Sequence, residues 1–348
     1  MRKLLLTGMS LLVAVTLLAA CGPKEPAELS VEDCPKEEVF CVGLVTDVGK
    51  IDDKSFNQST WEGVKQAEEE LGALVQYIET TDSKDYGKNI AQFADAGFDV
   101  IVTVGFGLGE ATLEAGPQYP DVKFIGVDQF QGEAVPNVVG LIFPEDQSGF
   151  LAGALAALMS ESGKLGAVLG TDAVPPVWRF GEGYRAGAEY VRPGVEVNVV
   201  YHNDVGFDKT FTDPEWGKTT ALSMIDKGVD VVFGAGGKTG NGALMGCAEK
   251  GVMAIGVDTD QYYTVPEAQA VLLTSAMKLL TPGTFDLLKM AKEGNFPAGG
   301  NYVGAAGLAP YHDLADSVPA DVDAKVQEID AALKDRSLET GVSPVKPE

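Results

Sequence analysis

Histidine and cysteine are scarce in this sequence, which has two histidines and four cysteines among its 348 residues. With only His202 and His312 available, a zinc site built on imidazole or a Ser-His-Asp triad has little to work with. Basic residues are also few, because 26 Lys and Arg stand against 51 Asp and Glu, for a formal net charge of −25. Binding to nucleic acid or to an anionic lipid surface needs clustered Lys and Arg, so both functions are disfavoured.

One apolar run stands out at the N-terminus, where Arg2 and Lys3 precede the sequence LLLTGMSLLVAVTLLAA. A charged start, a short apolar stretch and small residues before a cleavage point are typical of a signal peptide, whereas a membrane span needs roughly 20 apolar residues and a stop-transfer flank. The residues LAAC, which end at Cys21, resemble a bacterial lipobox. We therefore predict a signal peptide over residues 1–20 and an extracytoplasmic protein held to the cell membrane by lipidated Cys21. Cleavage without acylation is the alternative.

The segment after the leader, residues 21–38, is rich in Pro, Glu, Lys and Ser, which predicts a solvated tether. Export makes disulfides permissible, and Cys34 and Cys41 are close enough in sequence to close a small loop. The sequence gives no distance between them, so a bridge and two free thiols both stay open. Cys247 falls in the apolar helical pattern ALMGCAEKG, which predicts a small buried residue rather than a reactive thiol.

After residue 38, short β-rich runs alternate with amphipathic helical stretches, a rhythm that predicts a parallel sheet covered on both faces. Two such series follow each other, so we predict an α/β fold of two lobes, each a doubly wound parallel sheet. Each series contains a strand that ends in Gly-Val-Asp, at Asp128 and at Asp258. Because open parallel sheets bind ligands at the carboxyl ends of their strands, both aspartates are expected to face one cleft.

An acid-rich segment, TDVGKIDDKSFN, lies between the first strand and the first helix, where binding loops concentrate. It lacks the regular alternation and distal Glu of an EF-hand loop, and Lys50 and Lys54 would compete for the carboxylates, so we predict no metal site. An Asp just before a helix satisfies free N–H groups, which favours a capping role for Asp53. Asp47 is then the predicted ligand contact of this segment.

Aromatic residues occupy matching places in the two series. Phe56 begins the first helix beside Asn57, and Phe211 lies on a loop before a helix of the second series. General burial statistics favour a core position for a single ring of this kind. Two rings from opposite lobes could instead sandwich a flat heterocycle, a stacking worth roughly 1 to 3 kcal/mol per base. Phe56, Asn57 and Phe211 are therefore candidate ligand contacts.

The stretch FGAGGKTGNG contains Gly-Lys-Thr but does not match a P-loop, because the residue five positions before Gly237 is Val232 rather than glycine. No dinucleotide-binding GxGxxG pattern fits there either. What remains is a glycine-rich turn from strand to helix, whose backbone N–H groups a ligand can approach closely. Gly236 and Gly237 are the predicted backbone contacts.

Taken in order, the segments VGLVTDVGKIDDKSFNQSTWEGV, FIGVD, FTDP, IGVDTDQY and LLTSAMK resemble the basic membrane protein family of bacterial lipoproteins. Characterised members bind purine nucleosides for import. The resemblance therefore implies a monomeric binding protein, without a cofactor or enzymatic activity, that delivers adenosine, guanosine or inosine to an ABC permease and its ATPase.

The same resemblance implies roles for individual residues and a division of the chain. It matches Asp47 and Asp128 to the family's base-binding acids, Phe56 and Phe211 to its stacking pair, and Asp258 and Lys278 to its ribose-binding residues. The family fold is the two-lobed periplasmic-binding type I, with a hinge that the chain crosses more than once. On that pattern residues 39–143 and 275–300 form lobe 1, and residues 144–274 and 301–348 form lobe 2.

Two residues depart from the family pattern, and other functions stay open. Lys238 looks like an inserted residue between Gly237 and Thr239, and Trp178 is large enough to reshape the cleft. A calcium-dependent nucleoside hydrolase would need several acids on one metal, whereas only the first loop is acid-rich. A surface adhesin would explain the anchor but not the matched strands. Relatives on the same scaffold take other flat heterocycles such as riboflavin, so the fold alone does not fix the ligand.

Overall fold

The computed structural model describes residues 29–347, which form two six-stranded sheets in succession along the chain. The predicted signal peptide, Cys21 and the start of the predicted tether lie outside the described residues. Among the helices of residues 29–347, none is both long and apolar enough to cross a membrane.

The first sheet is wholly parallel and is covered by four helices. Its strands are β1 (Cys41–Val48), β2 (Leu74–Thr80), β3 (Val100–Val104), β4 (Lys123–Val127), β5 (Val138–Ile142) and, from much later in the chain, β11 (Asn301–Val303). Its helices are α1 (Phe56–Leu71), α2 (Tyr86–Asp95), α3 (Gly109–Gln118) and α10 (Leu280–Lys292). The strand order is β11-β5-β4-β3-β1-β2.

The second sheet repeats this plan with one antiparallel edge strand. Its strands are β6 (Lys164–Leu169), β7 (Glu196–Tyr201), β8 (Val231–Ala235), β9 (Met253–Asp258), β10 (Leu272–Lys278) and β12 (Ala306–Leu308). Its helices are α4 (Glu145–Met159), α5 (Pro175–Val191), α6 (Phe207–Thr210), α7 (Pro214–Ile225), α8 (Gly237–Lys250), α9 (Gln261–Thr264) and α11 (Ala320–Lys334). The strand order is β12-β10-β9-β8-β6-β7, and β12 runs antiparallel to β10.

Both faces of the central strands are buried, which is why their sequences are apolar without alternation. In β1, Val42 and Leu44 belong to one apolar cluster, whereas Cys41 and Val45 belong to the cluster on the opposite face. Helix α1 covers the first of these faces and ends where Gly72 adopts a left-handed conformation. The predicted α/β fold of two doubly wound lobes is confirmed.

The chain crosses between the sheets after β5, after β10 and between β11 and β12. Two predicted boundaries need correction here, because Leu272–Lys278 pairs with β9 in the second sheet and Asn301–Val303 pairs with β5 in the first. Short apolar strands look alike in sequence, and only their hydrogen-bonded partners assign them to a sheet. We therefore propose residues 39–143 and 279–304 for lobe 1, and residues 144–278 and 305–347 for lobe 2.

A disulfide joins Cys34 to Cys41, whose Cα atoms are 5.6 Å apart. The bridge, which the sequence left open, ties the end of the predicted tether to the first residue of β1. Cys34 is buried in an apolar cluster of the first lobe, so this end of the segment is packed rather than solvated as predicted. Cys247 is a free thiol buried in α8, as predicted. Burial raises the pKa of this thiol to about 12, so it stays protonated at neutral pH.

Candidate ligand-binding site

A cavity lies between the two lobes at the carboxyl ends of both sheets. It encloses about 760 Å³ of empty space, open solvent at its mouth included. All nine ligand contacts predicted from the sequence line it: Asp47, Phe56, Asn57, Asp128, Phe211, Gly236, Gly237, Asp258 and Lys278. The structure thus brings these residues together, and their roles in binding stay predictions.

The two Gly-Val-Asp sequences build the same turn in both lobes. Asp128 directly follows β4 and Asp258 ends β9, with left-handed φ angles of 61° and 65°, a conformation that Asp tolerates better than most residues. A Cβ atom on the glycine of the first motif would lie 2.3 Å from Gln129 Oε1, and one on the second would lie 2.6 Å from Gln261 Oε1. These glycines therefore make room for the glutamines that pack behind each turn.

Asp47 is a half-buried acceptor without a hydrogen-bond partner in the described part of the chain. Asp47 is the last but one residue of β1. Its carboxylate packs against Gly105, and a Cβ atom added to that glycine would lie 2.0 Å from Asp47 Oδ2. Burial, and then the charges of Asp53 and Asp128, raise the Asp47 pKa to about 7. Because no described donor satisfies this carboxylate, a ligand N–H group is the natural partner for it.

Asp53 has the capping role that the sequence predicted. Its carboxylate accepts hydrogen bonds from the backbone N–H groups of Ser55, Asn57 and Gln58, at 2.9, 2.9 and 3.1 Å. Burial raises the pKa of Asp53 to about 6, and these hydrogen bonds oppose the rise. Asp53 is therefore committed to the first turn of α1, although it lines the cavity.

Lys278, the last residue of β10, is the buried cation at the cavity wall. Its ammonium nitrogen lies 2.5 Å from Asp128 Oδ2, 3.7 Å from Asp258 Oδ1 and 3.8 Å from Glu145 Oε1. Burial would lower the Lys278 pKa, but the three carboxylates outweigh it and raise the pKa above its usual value. Lys278 therefore remains charged, and it also lies 4.6 Å from the centre of the Phe56 ring.

Two further charged residues, Glu145 and Arg179, belong to this charge cluster and were not predicted from the sequence. Glu145 is fully buried and accepts a hydrogen bond from Arg179 Nε at 2.8 Å as well as one from the terminal guanidinium nitrogen. Burial raises the Glu145 pKa to about 7, against the lowering effect of Lys278. An acid in the first turn of a helix is usually exposed to solvent, where it stabilises the positive end of the helix dipole. Nothing in the sequence therefore indicated that Glu145 is buried.

The aromatic part of the cavity is larger than the predicted pair. Phe106, Phe180 and Phe207 line it together with Phe56 and Phe211. The rings of Phe207 and Phe211 meet edge to face, with their centroids 5.7 Å apart. A flat, apolar ligand surface would therefore meet rings supplied by both lobes.

The glycine turn after β8 fits the predicted close approach. Gly236 has a φ angle of 154°, and a Cβ atom there would lie 2.7 Å from the backbone nitrogen of Gly170. Gly237 begins α8 with a φ angle of 55°. Lys238, the residue that departs from the family pattern, points its ammonium group to Asp52 Oδ1 at 3.0 Å and so links the lobes.

The loop Asp52–Ser55 of the first lobe makes further direct contacts with the second lobe. Asn241 donates to the carbonyl of Asp53 at 2.9 Å, and Thr264 donates to the carbonyl of Lys54 at 2.7 Å. Ser55 Oγ donates to Asp258 Oδ2 at 2.7 Å. These contacts hold the lobes together beside the cavity without using a ligand.

Trp178 does not reshape the cavity, so that expectation is wrong. Its side chain lines a separate surface groove with Thr340 and Val342, whereas Val177 and Phe180 of the same helix line the cavity. The helical period explains the difference, because Val177 and Phe180 are three residues apart and share one face of α5, whereas Trp178 lies on another face.

Known proteins resemble this chain along most of its length. The family model described as ABC transporter substrate-binding protein PnrA-like matches residues 40–304. A Listeria innocua relative named CD4+ T-cell-stimulating antigen is 32% identical, across 97% of this chain and 98% of the relative. A Lactococcus lactis relative named ABC transporter nucleoside-binding protein BmpA is 29% identical, across 83% and 84%. A solved solute-binding protein from Aeropyrum pernix superposes with a TM-score of 0.76 at 27% identity, across 86% and 92%.

Proposed function

Because this chain belongs to the family of PnrA-like ABC transporter substrate-binding proteins, we propose that it binds a purine nucleoside and delivers it to a membrane permease and its ATPase. Lipidated Cys21 anchors it outside the cytoplasm. The observation that carries the proposal is the half-buried Asp47 carboxylate, which has no hydrogen-bond partner among the described residues and faces a cavity lined by aromatic rings from both lobes. The name of the Lactococcus lactis relative agrees with a nucleoside ligand.

The cavity lining offers two chemically different sets of contacts that suit the two halves of a nucleoside. Phe56 and Phe211 offer flat apolar surface to the base, and Asp47 offers an acceptor for a base N–H group. Asp258 and Lys278 offer an acceptor and a donor, which together suit ribose hydroxyl groups. A pyrimidine base has less surface to stack, so a purine fits this cavity better.

The charges of the cavity disfavour a phosphorylated ligand. Lys50, Lys238 and Lys278 are the cationic residues of its lining, and each pairs with an acid: Glu79 at 2.7 Å, Asp52 at 3.0 Å and Asp128 at 2.5 Å, respectively. A phosphate would have to displace one of these acids and face the remaining aspartates. The site therefore favours an uncharged nucleoside.

We propose binding without catalysis, because the acids of the first loop are already engaged. Asp52 pairs with Lys238, and Asp53 caps α1, which leaves Asp47 as a single free carboxylate. A calcium-dependent hydrolase would need several of these acids on one metal ion and a water positioned for attack.

A thermal-shift series tests the proposed ligand class. A purine nucleoside at a hundredfold excess over its Kd is expected to stabilise the folded protein by about 2.7 kcal/mol, because it binds only the folded state. The corresponding pyrimidine nucleoside should shift the unfolding midpoint less, and the purine nucleoside 5′-monophosphate should barely shift it.

Chromatography of the same samples, with calcium added, should recover the nucleoside intact. Equal shifts for purine and pyrimidine nucleosides would remove the purine assignment. A larger shift with the monophosphate would contradict the charge argument, and free base appearing in an enzyme-dependent manner would favour the hydrolase.

A further inference from the structure

Glu145 combines full burial, charge and an oxygen without a hydrogen bond, which is a costly arrangement to maintain. It is the first residue of α4, directly after the first crossing between the lobes. One oxygen, Oε2, accepts from Arg179, whereas Oε1 has no hydrogen-bond partner among the described residues and lies 3.8 Å from Lys278 Nζ. Lys278 directly precedes the second crossing, so the two charges lie beside both hinge segments.

The three carboxylates around Lys278 differ in their access to a ligand. Asp128 and Asp258 line the cavity, whereas Glu145 does not and so lies behind the ammonium group. Asp128 belongs to the first lobe, and Glu145 and Asp258 belong to the second. Glu145 is therefore the acid of this cluster that can attract Lys278 without competing for the ligand and without crossing between lobes.

We propose that Glu145, held by Arg179, is a positioning residue that keeps the Lys278 ammonium at the cavity wall and leaves Asp258 Oδ1 free to accept from the ligand, while Oδ2 accepts from Ser55. A lysine ammonium is a compact charge on a flexible stem, so the surrounding charges decide where it lies. Without the charge of Glu145, Lys278 is drawn only to Asp128 and Asp258, the same acids that the ligand uses. This inference rests on the proposed function.

The test is a double-mutant cycle between Glu145 and Lys278, with calorimetric titration of a purine nucleoside. Glu145→Gln keeps the shape of the side chain and removes its charge, and we expect about tenfold weaker binding. In a Lys278→Met background the same substitution should change the affinity by less than about twofold, since Glu145 then has no ammonium to position.

Asp146→Asn is the matched control, because Asp146 also lies in the first turn of α4 but bonds to Thr340 rather than to Lys278. It should leave nucleoside affinity unchanged. If Glu145→Gln does not fold, Glu145→Asp enters the same cycle, since it keeps the charge but withdraws it from Lys278.

The outcomes separate this inference from the proposed function. Unchanged affinity in Glu145→Gln, or an equal loss with and without Lys278, would overturn the positioning role while wild-type binding still supports the nucleoside assignment. Absence of nucleoside binding by the wild-type protein would overturn both. A lowered unfolding midpoint with unchanged affinity would show a purely structural residue and would also overturn the proposal.

Discussion

Replacing Asp47 with alanine is expected to weaken purine-nucleoside binding by about 1.5 to 3 kcal/mol at pH 8, which is roughly 10- to 150-fold, because a hydrogen bond to a charged carboxylate is lost. The effect should be large because no described donor substitutes for the ligand at this carboxylate. Asp85→Ala is the matched control, since Asp85 is also a half-buried acid of the same lobe but does not line the cavity. Calorimetric titration measures both, and equal affinity of Asp47→Ala and wild type would contradict the assignment.

Asp47 should also make nucleoside affinity depend on pH, with stronger binding at higher pH. Burial and the nearby aspartates raise the Asp47 pKa to about 7, so its acceptor form is the minority at pH 6 and the majority at pH 8. Since apparent affinity scales with the competent fraction, binding should strengthen about tenfold between those values. Asp47→Ala should lose most of this dependence. Asp53 and Glu145, whose pKa values burial raises to about 6 and about 7, account for any slope that remains.

Removing one proposed base contact and one proposed sugar contact should give different responses to a trimmed ligand. Phe211→Ala is expected to weaken binding of both a purine nucleoside and its free base by about 1 to 3 kcal/mol, through lost stacking. Asp258→Asn should weaken only the nucleoside, by about 1 kcal/mol, since charge-assisted hydrogen bonds are about twice as strong as neutral ones. Asparagine also tolerates the left-handed conformation at this position.

Calorimetry with a nucleoside and its base, on both variants, completes this comparison. If Asp258→Asn weakens the free base as much as the nucleoside, the assignment of the second lobe's aspartate to the sugar is wrong. A Phe211→Ala variant with wild-type affinity for the base would remove the stacking role.

The sequence predicted the parts of the site that local patterns specify. Gly-Val-Asp at the end of a buried strand places Asp128 and Asp258 at a sheet edge by the geometry of parallel strands alone. The capping role of Asp53 followed equally from its place before α1, and its three backbone hydrogen bonds confirm it. These features depend on few residues that are close along the chain.

Features that depend on distant pairing were out of reach of the sequence. The strand Leu272–Lys278 was divided at residue 275, because nothing in its apolar pattern reveals β9 as its partner. Glu145 looked like an ordinary acid at a helix start, since its burial arises only when Lys278 and Arg179 arrive from elsewhere in the chain. Lys238 looked like an irregularity in a glycine turn until its contact with Asp52 of the other lobe explained it.

Native mass spectrometry of the purified protein, incubated with an equimolar mixture of purine and pyrimidine nucleosides, their monophosphates, ribose and riboflavin, tests the central claim most directly. The cavity is lined by Asp47 and rings from both lobes, and its three lysines are paired with acids. We therefore expect one intact purine nucleoside bound per chain. Preferential binding of riboflavin, a monophosphate or a pyrimidine nucleoside, or no bound compound at all, would contradict the account.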